Sequence, residues 1–130
     1  MIDEYVRAIE AAIAALGDLT RGSTIYMDER EADFIFLRGA VKFVDGSQLH
    51  FREFVQLKQG QPPNRYKYAY HYQHVDEAVI FRYDNARHYP HLPSAPHHKH
   101  VGESDILAAE MPDLFQVLKE IENIIESSAE

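Results

Sequence analysis

Tyr66-Lys67-Tyr68-Ala69-Tyr70-His71-Tyr72-Gln73 puts a tyrosine at every second position. Side chains of a strand alternate between faces, so this spacing predicts a strand with one tyrosine-lined face. Lys67, Ala69, His71 and Gln73 then lie on the other. Upstream, Gly60-Gln61-Pro62-Pro63-Asn64 interrupts the pattern, and before it Leu49, Phe51, Val55 and Leu57 share one parity while His50, Arg52, Phe54 and Gln56 share the other. Asp45-Gly46 is a favoured two-residue hairpin turn between this run and Phe34–Val44. In that earlier run Ile35, Leu37, Val41 and Phe43 face one way, and Phe34 and Phe36 suggest that its beginning is buried on both faces. Thr24–Glu29 reads as a short strand. Downstream, Val75-Asp76-Glu77 makes a turn and Ala78–Asp84 forms the next strand. The expectation is an antiparallel meander of four to five strands.

Helices flank it. In Asp3–Leu16, the residues Tyr5, Ile9, Ala12, Ile13 and Leu16 recur at helical spacing, with Gly17 at the C-cap position. Pro112 suits the first turn of a final helix whose stripe is Leu114, Phe115, Leu118, Ile121, Ile124 and Ile125. Val117 falls off that line and is expected to be exposed, which suggests a homodimer or a partner docking on the terminal helices. Asn85–Val101, with three prolines and five histidines, reads as a long ordered loop, Ser104–Ala109 as a helical turn, and Ser127–Glu130 as a fraying end. The fold class is α+β, a single domain over residues 1–130.

A chain of 130 residues with 45% hydrophobic and 26% charged residues suits one ordinary globular domain. It contains no cysteine, which excludes disulfides, thiolate nucleophiles and Cys-ligated zinc. No run approaches the ~18 apolar residues of a membrane span, and Met1-Ile2-Asp3-Glu4 does not resemble a signal peptide. A cytoplasmic protein without a membrane partner is expected. The net charge of −8 hides an asymmetry: Lys58–His100 carries a local balance of +3, and seven of the eight histidines lie between His71 and His100. The acidic total argues against a chain-wide nucleic-acid coat, yet leaves one basic, His-rich face.

Generic motifs are absent: there is no phosphate-binding glycine loop, HExxH helix, zinc-finger spacing or nucleophile elbow. What remains is a constellation of His50 and Arg52, His71 and Gln73, Arg82-Tyr83-Asp84-Asn85, His88, and Pro96-His97-His98-Lys99-His100. Imidazoles titrate near neutral pH and transfer protons at a phosphodiester. His71 and His98 are the candidate acid–base pair, with Asp84 orienting a histidine. Arg52, Arg82 and Lys99 are candidate phosphate ligands, and Tyr70 or Tyr83 a candidate base-stacking residue. Asn85, His88, His97 and His100 complete the substrate-binding set. No cofactor is expected and no metal site is assigned, because adjacent histidines of an extended chain point to opposite sides and make an unselective ligand set.

Phe81-Arg82-Tyr83-Asp84-Asn85-Ala86, then His88 and Pro96-His97-His98-Lys99-His100, preceded by Tyr68-Ala69-Tyr70-His71-Tyr72-Gln73, resembles the TumE family over roughly Phe34–Val101. Members are described as toxin components of type II toxin–antitoxin pairs. The resemblance implies an antitoxin of the helix-turn-helix type encoded by the adjacent gene, and an attack on RNA linked to translation. The acidic total departs from the strongly basic character of the ribosome-dependent RelE-like ribonucleases, whose fold is similar in kind. The leading expectation is a toxin-like, metal-independent endoribonuclease acting on RNA. A non-catalytic module that docks protein or nucleic acid through the His-rich loop is the second reading. A metal-dependent phosphodiesterase using Asp84 and the histidines is the third.

Overall fold

A computed structural model describes residues 2–128. The chain begins with helix α1 (Ile2–Ala14) and a 3-10 turn at Gly17–Leu19. Seven strands follow: β1 (Thr20–Glu29), β2 (Phe34–Phe43), β3 (Gln48–Gln56), β4 (Asn64–Gln73), β5 (Val79–Asp84), β6 (His98–Val101) and β7 (Asp105–Ala108). Helix α2 (Leu114–Ser128) ends the described chain. Every strand is antiparallel to its sequence neighbour, in the order β1-β2-β3-β4-β5-β6-β7. The sheet is the expected meander between two helices, but it has seven strands rather than four to five.

The two additional strands lie where the sequence suggests a loop and a helical turn. His98-Lys99-His100-Val101 pairs with β5, and Gly102, at φ 64°, turns the chain into β7. Four-residue strands of histidine, lysine and mixed residues carry no apolar alternation, so period-two reading passes over them. β1 likewise starts at Thr20, with an irregular register between Thr20 and Gly22 and exposed residues over Arg21–Thr24 that hide its pattern.

One face of the sheet buries Leu37, Val41, Phe43, Leu49, Phe51, Val55, Tyr70, Tyr72 and Phe81 under the helices. From α1 come Ile9 and Ile13, and from α2 Leu114, Val117, Leu118, Ile121 and Ile125. Val117 is fully buried, whereas Phe115 is 47% exposed. This corrects the expected stripe: the helix is rotated so that positions 114, 117, 118, 121 and 125 meet the sheet. Pro112 precedes the helix, which starts on a reciprocal cap in which the Gln116 N–H donates to Asp113 Oδ1 and the Asp113 N–H to Gln116 Oε1. The helix stays regular through Ser127 and Ser128, and the remainder of the expected fraying end, 129–130, lies outside the described residues.

Gly39 lets β1 and the Phe51 ring approach β2 closely. A Cβ there would collide with the Phe51 ring and stand 2.7 Å from the Thr24 carbonyl oxygen. Glu53, alone among carboxylates on this buried face, is 1% exposed and accepts hydrogen bonds from the hydroxyls of Tyr5 and Tyr70. Arg65 Nη1 donates to the same Tyr70 hydroxyl at 2.7 Å and to the Pro112 carbonyl. Burial and the adjacent Glu53 carboxylate hold both tyrosines far above the ordinary phenol range, so both remain donors.

Candidate functional site

The face away from the helices is built from transverse rows of directly opposed residues. One row runs Ala40, His50, His71, Arg82, His100 and Ile106 across β2 to β7. The next runs Arg38, Arg52, Ala69, Asp84, His98 and Ala108. Adjacent strands are ~4.8 Å apart, so His50, His71, Arg82 and His100 of the first row follow one another at that spacing. Lys42 and Lys67 share the face, and its carboxylates at paired positions are Asp28 and Asp84. The face is therefore cationic on a chain whose net charge is −8. At its β2–β4 end, Phe34 stacks on Phe54 with ring centres 4.9 Å apart, and Tyr66 leans on Phe34 at 5.4 Å. Half-buried Phe34 and Phe36 thus cover an aromatic ledge beside Arg52.

Arg82 links the two rows. Its Nε donates to Asp84 Oδ2 at 2.9 Å, and its Nη1 lies 3.3 Å from Nδ1 of His71. A guanidinium only donates, so Nδ1 of His71 is the unprotonated nitrogen and Nε2–H faces Gln73 Oε1 at 3.1 Å. Burial, followed by the Arg82 charge, holds His71 below the ordinary imidazole value of 6.5, with Gln73 pulling the other way. His71 is accordingly a neutral base at neutral pH. His50 stands opposite it on β3 and is exposed.

Residues 85–97 fold back over one end of this face. His98 is 1% exposed: its Nε2 lies 3.0 Å from Asp84 Oδ1 and its Nδ1 3.0 Å from the Pro96 carbonyl. His100 Nε2 is 3.6 Å from Asp84 Oδ2, and the edge of the Tyr89 ring contacts both imidazoles. Burial lowers His100 below the ordinary value, although Asp84 opposes the shift.

The structure thus brings together His71, Arg82, Asp84, His98 and His100, with Arg52 one strand beyond Ala69. It does not bring the other candidates to this face. Tyr70 is fully buried against Glu53. Tyr83 points to the helix side and donates to Glu120 at 2.7 Å. Lys99 lies between His98 and His100 on a strand and so points the opposite way; its Nζ donates to Glu120 at 2.8 Å and sits over the Tyr83 ring. His97 stacks on Tyr68 and meets its hydroxyl through Nδ1. Asn85 is committed to backbone, accepting from the Tyr68 N–H and donating to the Tyr66 carbonyl. His88 is exposed in the connection beside Tyr89.

His50 belongs to the constellation read from the sequence but is given no role there, and the Phe34–Phe54–Tyr66 ledge is absent from it. Parity with Arg52 for Phe54, and a run of aromatics at the strand ends, are the signals that find the ledge.

Among the described residues no helix is long and apolar enough to cross a membrane. No curated protein and no solved structure matches the chain. A family model described as Toxin TumE matches residues 9–129, a span that includes all seven strands, the row of His50, His71, Arg82 and His100, and α2 up to its described end. The chain belongs to the TumE family of toxins.

Proposed function

We propose that this chain is the toxin of a toxin–antitoxin pair and that it cleaves RNA by metal-independent acid–base chemistry on the open face of its sheet. The observation that carries this reading is the row of His50, His71 and Arg82 on three adjacent strands, beside an aromatic ledge and a cationic surface. Stacking platforms beside positive side chains suit single-stranded RNA, whose bases are free to stack.

A phosphate drawn to Arg82 and Arg52 releases Nδ1 of His71 from the guanidinium. His71 then takes the proton of the ribose 2′-OH, and the 2′-oxygen attacks phosphorus. As the bond to the 5′-oxygen breaks, His50 in its charged form protonates that oxygen, leaving a 2′,3′-cyclic phosphate and a free 5′-hydroxyl. Arg82 neutralises the charge gathered on the phosphorane, and Asp84 positions Arg82. This assignment keeps His71 in the acid–base pair, now as the base, and replaces His98, which is sealed under residues 85–97, with the exposed His50. Tyr70, Tyr83 and Lys99 support the fold, and stacking passes to the Phe34–Phe54–Tyr66 ledge.

The partner in this reading is a helix-turn-helix antitoxin from the adjacent gene. A homodimer through α1 and α2 would rely on Phe115 rather than Val117 as its exposed apolar residue. Expression with and without the adjacent gene, scoring growth and RNA integrity together, tests the whole reading. Arrested growth with RNA ends bearing cyclic phosphate, relieved by the neighbour and by His71→Ala, is the expected result. RNA that is bound but left intact would leave a recognition module in place of a nuclease.

A further inference from the structure

His98 presents a hydrogen-bond problem. Its Nδ1 faces the Pro96 carbonyl, which only accepts, so that nitrogen carries a proton. A neutral ring then has its lone pair at Nε2, and Nε2 faces the Asp84 carboxylate at 3.0 Å. Nε2 is therefore the nitrogen with a lone pair to give to a cation, in a side chain 1% exposed, while Arg82 Nε holds the other oxygen of the same carboxylate at 2.9 Å.

We propose that Asp84, His98 and His100 bind one zinc ion. The candidate donor atoms of the three residues all lie within 4.8 Å of one another. His98 Nε2 lies 3.0 Å from Oδ1 of Asp84 and His100 Nε2 3.6 Å from Oδ2, so the two imidazoles reach the two oxygens of one carboxylate. Bonds of ~2.0–2.1 Å in a tetrahedron place neighbouring donors about 3.3 Å apart, close to both distances. The surroundings are also those of metal ligands: the distal nitrogen of His98 donates to a backbone carbonyl, and the carboxylate is held by Arg82 Nε and by the Ala86 N–H at 3.0 Å. Two imidazoles and one carboxylate select zinc over magnesium or calcium, which take oxygen ligands.

The sequence pattern explains how the site forms. In His97-His98-Lys99-His100 the strand sends His98 and His100 to one face and His97 to the other, so only the pair two residues apart converges on Asp84. The partly exposed His100 leaves the fourth position for water. Because the ligands lie at both ends of residues 85–97, the ion closes that connection onto the sheet. The cleavage chemistry assigned to His50 and His71 does not pass through it, so either inference can fail alone.

The test uses the full chain without a histidine tag, stripped by chelator and titrated with Co²⁺ and then Zn²⁺. The expected result is one Co²⁺ per chain with the intense visible absorption of tetrahedral coordination, displaced by one Zn²⁺. His100→Ala and Asp84→Asn, checked by circular dichroism for a retained fold, should each weaken Zn²⁺ binding at least about 100-fold. The double variant His88→Ala/His91→Ala should leave it unchanged. Absence of stoichiometric binding, a weak octahedral-type cobalt spectrum, or loss of binding in the His88/His91 variant alone overturns the proposal.

Discussion

His71 and Arg82 stand directly opposite each other on β4 and β5, and a guanidinium nitrogen of Arg82 lies 3.3 Å from Nδ1 of His71. The same guanidinium holds Asp84, so one side chain sets the tautomer of His71 and the position of the charge beside it.

Arg82→Lys should preserve the charge and lose the fork. An ammonium is a point donor that cannot serve Asp84 and a phosphate oxygen in the same planar geometry. RNA cleavage should fall by about 100-fold, as for loss of a preorganised donor, with an unchanged far-ultraviolet spectrum. Steady-state kcat/KM on a short oligonucleotide measures it.

His71 makes stability depend on pH in a definite direction. Its folded value lies below 6.5, chiefly through burial and the Arg82 charge, with a smaller contribution from His50 and an opposing one from Glu103. Between the two values the unfolded chain binds more protons than the folded one, so stability rises with pH through that window. The contribution is complete above 6.5 and is lost as pH falls through the folded value. Thermal melts from pH 7.5 to 5 should show a falling midpoint, with a shallower fall in His71→Gln.

Glu53→Ala should destabilise the fold by roughly 3–5 kcal/mol, since it strands the buried hydroxyls of Tyr5 and Tyr70 and removes a carboxylate whose charge favours the Arg65 cation. Glu53→Gln keeps an acceptor and should cost less. Urea denaturation of the two variants gives the ordering, and equal midpoints would contradict it.

Tyr66→Ala removes an exposed ring from the ledge without opening the core. Base stacking on an aromatic side chain is worth about 1–3 kcal/mol, so affinity for single-stranded RNA should drop by at least about 5-fold. Fluorescence anisotropy with a labelled oligonucleotide reads the change, and stability should remain near that of the parent.

The parts of the fold legible in the sequence are those with clean alternation. The tyrosines of β4 and the hairpin at Asp45-Gly46 fix three strands and their faces, and shared parity puts Arg82 and Asp84 on one side. β6 and β7 are too short and polar to register as strands, which also hides the consequence for Lys99. Taken as loop, His97-His98-Lys99-His100 has no faces; taken as strand, it sends Lys99 and His97 to the helix side. Tyr70 and Tyr83 follow the same parity to the helices. Glu53 sits on the apolar parity of Leu49, Phe51, Val55 and Leu57, which places it on the buried face, but its partners Tyr5 and Tyr70 come from α1 and β4 and no local pattern announces them.

The strictly sequential strand order has a consequence for synthesis. Each strand of a nascent chain adds to the one just before it, so the sheet can zip from its first hairpin as residues emerge. The row on the open face is filled in the same order: His50, then His71, then Arg82, and His100 only with the sixth strand. Helix α2, which covers the back of the sheet, emerges after all seven strands. A ribosome-bound fragment that stops before α2 has all seven strands, while the buried face of its sheet still lacks the cover of Leu114, Val117, Leu118, Ile121 and Ile125.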